Sequence, residues 1–246
     1  MVRLSAIAFS ILFAVISCTK DEHIAFDPTI PTTPVPVIPV VTDTTPPRSF
    51  LALGDSYTIG QSVPVDDRFP VQAAKYLTLG GINFDTPEII AQTGWTTANL
   101  LNSLGIAVPL KPKYEIVTLL IGVNNQYQGR TQQEYAVQFL ALLDSAVQYA
   151  GNNKKRVIVL SIPDYSVTPY ANGSNRALIA REIDSFNVIN KAIAIKIGVN
   201  YLDITGSSRL AANDPSLIAS DGLHPSGLEY KVWADGLVAI IKKALQ

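Results

Sequence analysis

The sequence has 246 residues, enough for one sizeable hydrophobic core. Hydrophobic residues make up 48% of the chain and charged residues 16%, a composition typical of globular proteins that excludes an intrinsically disordered one. The formal net charge is -1, so the chain lacks the basic excess of nucleic-acid-binding proteins, and we expect no nucleic-acid partner.

The beginning of the chain has the pattern of an export signal. Arg3 supplies a positive charge, and residues 4–17 form an apolar run that is too short to span a bilayer comfortably. The run ends in the letters VISC at Cys18, the only cysteine of the chain, which therefore has no partner for an internal disulfide. This ending resembles the lipobox of bacterial lipoproteins, where cleavage leaves the cysteine as a lipidated N terminus. The alternative is an ordinary secretory signal with a chance cysteine near its cleavage site.

The lipobox resemblance implies a signal peptide over residues 1–17 and a lipid, such as palmitate, on Cys18. The lipid would anchor the protein to a membrane of the bacterial cell envelope. Residues 20–22, with the letters KDE, resemble the acidic tether that exports some Gram-negative lipoproteins to the cell surface. We therefore expect an outer-membrane location, facing either the periplasm or the cell exterior.

A linker and a single domain follow. Residues 27–48 contain seven of the 16 prolines of the chain. Because proline fixes φ and removes a hydrogen-bond donor, we expect an extended spacer here rather than a helix or a central strand. The linker therefore occupies residues 18–48, and the domain occupies residues 49–246.

The domain alternates strand-like and helical patterns. Five strand-like runs cover residues 49–53, 88–92, 114–122, 156–162 and 199–205. The third and fourth are almost continuously apolar, as expected of parallel strands covered on both faces. This alternation predicts an α/β fold, a three-layer sandwich with a five-stranded parallel sheet between two layers of helices.

Three helices can be placed from their apolar periodicity. Thr131 and Glu134 have the spacing of a capping box, which is followed by a first apolar stripe. A second stripe runs from Ile179 to Ile197, and a last helix is expected over residues 225–245, with Pro225 in its first turn.

Polar residues follow four of the five predicted strands, at the sheet edge where ligands bind in such folds. They are Gly54-Asp55-Ser56 after the first strand, Gly94 after the second, Asn124 and Asn125 after the third, and Asp221 and His224 after the fifth. The end of the fourth strand, residues 163–173, offers no comparable group.

These residue types suit acyl transfer. The Ser56 hydroxyl becomes a good nucleophile only when a base takes its proton. Histidine is the residue type suited to this role near neutrality, and His224 is the only histidine of the domain. Asp221 lies three residues before it, within reach of the ring. The backbone N–H groups of Ser56 and Gly94 and the Asn124 amide are candidate donors to an oxyanion.

Other interpretations remain open for the same residues. Taken singly, each is more often a turn or cap residue. Asp221 and His224 alone are too few for a secure metal site, so we expect neither a metal nor a cofactor. A phosphate or flavin site in residues 54–62 would lack a Walker-type lysine, and Asp55 would repel phosphate. A non-catalytic binding protein of the same fold is a further alternative.

The ordered set of motifs resembles the SGNH/GDSL hydrolases, and the resemblance covers residues 49–246. It implies a flavodoxin-like SGNH hydrolase fold with Ser56 as nucleophile and first oxyanion donor. Gly94 and Asn124 match the other two donors, His224 the base and Asp221 its orienting partner.

The motifs depart from the family pattern at two positions. Tyr57 replaces the commoner leucine, which we expect to affect packing behind the loop. Asn125 replaces the usual aspartate, which we expect to affect the support of that loop but to leave the amide donor of Asn124 intact.

The sequence thus predicts a lipid-anchored serine esterase that forms an acyl-enzyme on Ser56. A lysophospholipase or thioesterase is the alternative within the family. The substrate would be a small-molecule, lipid or glycan ester, with a pocket or rim shaped by Trp95, Gln126, Tyr127 and Arg130. The sequence does not indicate the oligomeric state.

Overall fold

A computed structural model of the protein describes residues 46–106, 109 and 111–246. The predicted signal peptide, Cys18 and nearly all of the linker lie outside the described residues. Within the described part of the chain, no helix has the length and apolarity needed to cross a bilayer.

The centre of the fold is a five-stranded parallel sheet with the strand order β2-β1-β3-β4-β5. The strands are β1 (Phe50–Gly54), β2 (Glu88–Ala91), β3 (Ile116–Leu120), β4 (Val157–Leu160) and β5 (Asn200–Leu202). All residues of β1, β3 and β4 are buried, because helices cover both faces of the sheet. The predicted α/β fold is confirmed. Strand β1 has the length of its predicted run, shifted by one residue, and the other four strands are shorter than theirs.

The described residues contain helices of two kinds, long covering helices and short turns at the sheet edge. They are α1 (Ser56–Ile59), α2 (Phe69–Leu79), α3 (Thr97–Ile106), α4 (Val123–Tyr127), α5 (Gln132–Tyr149), α6 (Arg176–Ile197), α7 (Thr205–Ser208) and α8 (Gly227–Ala244). The capping box is present, since the Thr131 hydroxyl accepts a hydrogen bond from the Glu134 backbone at 3.1 Å.

The start of α8 differs from the prediction by two residues. Ser226 is the N-cap, and its hydroxyl accepts from the Leu228 backbone at 3.3 Å. Pro225 precedes the cap and pairs with Ile218 in an isolated antiparallel bridge. Pro225 therefore belongs to the loop that carries His224 and not to the helix.

Two helices fix the position of that loop. α8 packs against α2 through the buried rings of Phe69, Tyr230 and Trp233, whose centroids lie 5.1–6.1 Å apart. The Gln72 side chain on α2 also donates to the Gly227 carbonyl at 2.9 Å. The beginning of α8, and with it the preceding histidine loop, is thereby held against α2.

Candidate active site

The nucleophile candidate stands at a tight turn between β1 and α1. A Cβ atom on Gly54 would lie 2.1 Å from the Thr58 hydroxyl and 2.4 Å from the Leu120 carbonyl, so only glycine fits at the end of this strand. Asp55 caps α1 by accepting from the Tyr57 backbone at 3.0 Å. Ser56 is the first residue of α1 and lies at the carboxyl edge of the sheet, because it follows the end of β1 by two residues.

A second turn presents the histidine. One oxygen of Asp221, Oδ1, accepts from the backbone N–H groups of Leu223 and His224 at 2.9 and 3.0 Å. Gly222, which lies between Asp221 and Leu223, has φ +72°, a conformation that favours glycine. The His224 carbonyl accepts from the Ala219 backbone at 2.7 Å, which closes the turn.

The two turns meet in a continuous chain of hydrogen bonds. His224 Nε2 lies 2.9 Å from Ser56 Oγ, and His224 Nδ1 lies 2.6 Å from Asp221 Oδ2. The serine and histidine are 4% and 3% exposed. The structure thus brings together the three residues for which the sequence predicted a nucleophile, a base and an orienting carboxylate.

The pKa values of the two aspartates of the site, Asp221 and Asp55, are shifted in opposite directions. Burial opposes the ionisation of Asp221, but hydrogen bonds from the His224 backbone and ring, the Leu223 backbone and the Ser62 hydroxyl outweigh it and lower its pKa to about 2. Burial of Asp55 raises its pKa to about 7, and hydrogen bonds from the backbone, that of Tyr57 first, offset this only in part.

The candidate oxyanion donors lie at the neighbouring strand ends. Gly94 has φ +80° and lines the same pocket as Ser56. Asn124 lies in α4, lines this pocket too, and donates one amide hydrogen to the Trp95 carbonyl at 3.0 Å. Since an amide nitrogen carries two hydrogens, a second remains for another acceptor.

α4 can begin where it does because Gly122 precedes it. Gly122 has φ +132°, and a Cβ there would meet Tyr135 at 2.6 Å and Ile162 at 2.8 Å. Asn125 is fully buried, accepts from the Thr97 backbone at 3.0 Å and donates to the Thr97 hydroxyl at 2.7 Å. Asn125 therefore joins α4 to the start of α3, so the loop keeps a support despite the absent aspartate.

The serine, the histidine and the candidate donors open into one pocket of about 200 Å³. Half of the other lining residues are tyrosines. Besides Ser56, Gly94, Asn124 and His224, the lining consists of Tyr57, Gln61, Thr93, Val123, Tyr127, Tyr165, Tyr170 and Leu223. Tyr57, which we expected to affect packing behind the loop, also lines the pocket. The centroid of its ring lies 5.0 Å from that of the His224 ring.

Of the four residues expected to shape the pocket, Tyr127 lies on its wall. Trp95, Gln126 and Arg130 are not among the described lining residues. Trp95 packs against the hydrophobic core, and Arg130 lies exposed beyond α4. Gln126 is buried and supports the wall from behind, accepting from the Tyr165 hydroxyl at 2.9 Å.

Sequence reasoning missed several side chains of the site, among them Tyr165, Tyr170 and Ser62. Tyr165 and Tyr170 come from the end of β4, where their aromatic character was the available signal, and the Tyr170 hydroxyl lies 2.8 Å from that of Tyr127. Ser62 donates to Asp221 at 2.7 Å, and no local pattern marks it. Among the described residues, no group of three or more His, Cys, Asp or Glu side chains is arranged to hold a metal ion.

Comparison with known proteins gives a family and a fold. Residues 52–232 match the profile of the GDSL-like lipase/acylhydrolase family. No curated protein matches the sequence.

Several solved structures share the fold. The lipase/acylhydrolase from Enterococcus faecalis is 18% identical with a TM-score of 0.60, and the match covers 80% of this chain and 96% of that one. The acetylxylan esterase Axe2 from Geobacillus stearothermophilus is 18% identical with a TM-score of 0.58, covering 79% and 94%. The psychrotrophic esterase EstA from Pseudoalteromonas sp. is 17% identical with a TM-score of 0.59, covering 80% and 98%.

Proposed function

The chain belongs to the GDSL-like lipase/acylhydrolase family, and from this premise we propose that it is a carboxylic ester hydrolase with Ser56 as its nucleophile. The observation that carries the proposal is the hydrogen-bonded chain Ser56–His224–Asp221, which opens into a pocket also lined by Gly94 and Asn124. A binding protein with a decayed site has no need for all five groups to remain in this arrangement.

Acylation begins at the serine. Ser56 Oγ attacks the ester carbonyl carbon while His224 Nε2 takes the hydroxyl proton. The carbonyl π-electrons move onto oxygen, and the resulting anion accepts from the backbone N–H of Ser56, that of Gly94 and the free amide hydrogen of Asn124. The backbone N–H of Ser56 is suited to this because the first residues of a helix have no intrahelical acceptor.

The histidine then works as an acid and again as a base. Its imidazolium gives the proton to the leaving alcohol as the tetrahedral intermediate collapses, which leaves the acyl group on Ser56. A water molecule attacks the acyl-enzyme while His224 accepts its proton. As the second tetrahedral intermediate collapses, His224 returns this proton to Ser56 Oγ, which releases the carboxylic acid and restores the serine. Asp221, ionised at neutral pH, holds the ring tautomer and stabilises the imidazolium.

The pocket supports an ester with a small acyl group and a polar alcohol. A volume of about 200 Å³ leaves little room for a long chain. Tyr127 and Tyr170 are 57% and 48% exposed beside the serine, and exposed aromatic rings with hydroxyls suit a sugar ring. The acetylxylan esterase among the structural neighbours acts on such esters, which makes an acetylated glycan the first substrate class to assay.

A substrate panel tests this proposal. We expect hydrolysis of aryl acetates and acetylated oligosaccharides to exceed that of aryl esters with eight or more acyl carbons. Ser56→Ala should abolish turnover without changing the far-ultraviolet circular dichroism spectrum. A fluorophosphonate should add one phosphonyl group to Ser56, as read by intact-mass and peptide mass spectrometry. If a purified, folded protein neither reacts with the fluorophosphonate nor cleaves any ester of the panel, the proposal is wrong.

We also propose that the enzyme is lipid-anchored through Cys18 and lies in the bacterial cell envelope, at the outer membrane. The support is the VISC sequence after an apolar run, followed by a proline-rich spacer. Metabolic labelling with palmitate and membrane fractionation test it: label and membrane association should be lost in Cys18→Ala. Labelling that persists in this variant overturns the anchor and leaves the esterase proposal untouched.

A further inference from the structure

Ser62 binds the acid of the proposed triad from outside its loop. The Ser62 hydroxyl donates to Asp221 Oδ2 at 2.7 Å, the same oxygen that His224 Nδ1 contacts at 2.6 Å. The other carboxylate oxygen is held by the backbone of Leu223 and His224. Of these four donor groups, three belong to the histidine turn itself, and Ser62 alone comes from a distant segment.

The backbone of Ser62 is in an unfavourable conformation. Its φ is +67°, and in the described part of the chain only one other residue besides glycine, Asn152, has a positive φ. Asparagine is among the residues that tolerate this region, whereas serine pays roughly 1 kcal/mol or more for it. Such strain persists where surrounding contacts fix it, and it occurs preferentially at functional sites.

The hydrogen bond of Ser62 connects two segments that are distant in sequence and that the fold brings together. Gly60 ends α1, the helix that begins with Ser56, and Ser62 follows two residues later. Its hydrogen bond joins residues 159 positions apart. The adjacent Gln61 is bound to Thr93 at 2.5 Å, so the whole segment after α1 is fastened to the loops around the pocket.

We propose that Ser62 is a positioning residue that holds Asp221 Oδ2 in line with His224 Nδ1, so that Nε2 faces the serine. This inference rests on the proposed function. Backbone donors fix one carboxylate oxygen, and the Ser62 hydroxyl keeps the other from turning towards solvent. Because Ser62 is exposed and a water molecule can replace part of its hydrogen bond, we expect a modest effect, a loss of about 3–10-fold in kcat with KM little changed.

Three substitutions at this position separate the hydroxyl from the backbone strain. Ser62→Ala and Ser62→Gly both remove the donor, but glycine relieves the positive φ and alanine does not. Ser62→Thr keeps the donor and increases the strain, because threonine is β-branched. We expect the activity of the Ser62 and Ser62→Thr enzymes to exceed that of Ser62→Ala and Ser62→Gly. Thermal stability should follow the backbone strain instead, with Ser62→Gly above Ser62→Ala and the wild type above Ser62→Thr. Ser216→Ala is the matched control, since that exposed serine also donates to an aspartate, Asp214, at 2.6 Å, but neither residue lines the pocket.

The measurements are the rate of Ser56 phosphonylation by a fluorophosphonate and the kcat and KM for an aryl acetate. In an Asp221→Ala background, Ser62→Gly should produce no further loss, because Ser62 acts through that carboxylate. A Ser62→Gly enzyme with the wild-type labelling rate overturns the inference while Ser56 labelling still supports the esterase. A full additional loss in the Asp221→Ala background also overturns it. Absence of labelling in the wild type removes both the inference and the function on which it rests.

Discussion

Asp55 and Asp221 both adjoin the proposed triad, one next to Ser56 in sequence and the other bound to His224, but their surroundings differ. Asp55 is fully buried, accepts from the Tyr57 backbone through Oδ1, and its Oδ2 has no partner among the described residues. The Asp221 side chain is 25% exposed and receives four donors from three residues. The pKa of Asp55 is raised to about 7, and that of Asp221 is lowered to about 2.

The contrast shows what a carboxylate needs in order to act in the triad. It needs enough hydrogen-bond donors to keep it ionised, and closeness to the nucleophile in sequence does not supply them. At neutral pH Asp221 is fully ionised and can balance the charge on an imidazolium. The backbone donors to Asp55 offset its burial only in part, so its charged form is costly. The role that its contacts support is to cap α1.

Substitution of the two aspartates should give the largest difference in activity. We expect Asp221→Ala to lower kcat by about 10³–10⁴-fold, because the base loses its orienting partner, yet less than Ser56→Ala or His224→Ala. Asp55→Asn keeps an oxygen that accepts from the Tyr57 backbone and should change kcat by less than about 3-fold, the change expected when no reacting charge is lost. Steady-state kinetics on an aryl acetate compare the two. Equal losses in both variants would show that Asp55 has a direct part in turnover.

Asn124 and Asn125 sharpen the comparison on the next loop, where adjacent residues again have different surroundings. Loss of an oxyanion donor in Asn124→Ala should lower kcat by about 10²–10³-fold with KM little changed. Asn125→Ala should retain far more activity but lower the unfolding free energy by roughly 1–3 kcal/mol, because the Thr97 backbone N–H is left without its buried acceptor.

Kinetics and melting curves on the same two preparations separate these effects. An Asn124→Ala enzyme with wild-type kcat would remove this residue from the oxyanion site. A larger kinetic loss in Asn125→Ala would reverse the two assignments.

The smallest expected effect is a pH-dependent change in stability. Asp55 has a higher pKa in the folded state than in the unfolded chain, so its contribution is favourable at low pH and is lost as the pH rises from about 4 to 7. Asp55→Asn does not titrate and should gain on the order of 1–3 kcal/mol over the wild type between pH 5 and pH 8. Urea unfolding at both pH values measures this.

The stability contribution of Asp221 depends on pH in the opposite direction, so Asp221 serves as the control. Its lowered pKa contributes stability that is present above about pH 4 and is lost as the pH falls towards 2. The stability difference between the wild type and Asp221→Asn should therefore shrink as the pH falls from about 4 towards 2. The difference between the wild type and Asp55→Asn should instead grow as the pH rises from about 4 to 7. A pH-independent difference for Asp55→Asn would contradict the raised pKa of Asp55.

Much of the fold followed from local patterns. The apolar runs of β3 and β4 and the stripe of α6 are signals of burial carried by neighbouring residues, so they can be recognised in sequence. Helix boundaries were predicted less accurately. The sequence predicts Pro225 inside α8, because proline is favoured in the first turn of a helix. Its pairing with Ile218, seven residues earlier, placed it in the histidine loop.

The sequence by itself determined the strand–helix alternation, the residue types after the strands, and hence a sheet edge bearing serine, histidine, aspartate and asparagine. The tertiary structure decided the rest, because it depends on contacts between distant segments. The Ser62 bond to Asp221, the support of Tyr165 by Gln126 and the place of Tyr170 opposite Tyr127 all join different loops. A local sequence pattern indicates burial and backbone preference. The pKa of a carboxylate and the wall of a pocket, in contrast, are set by groups that only folding brings together.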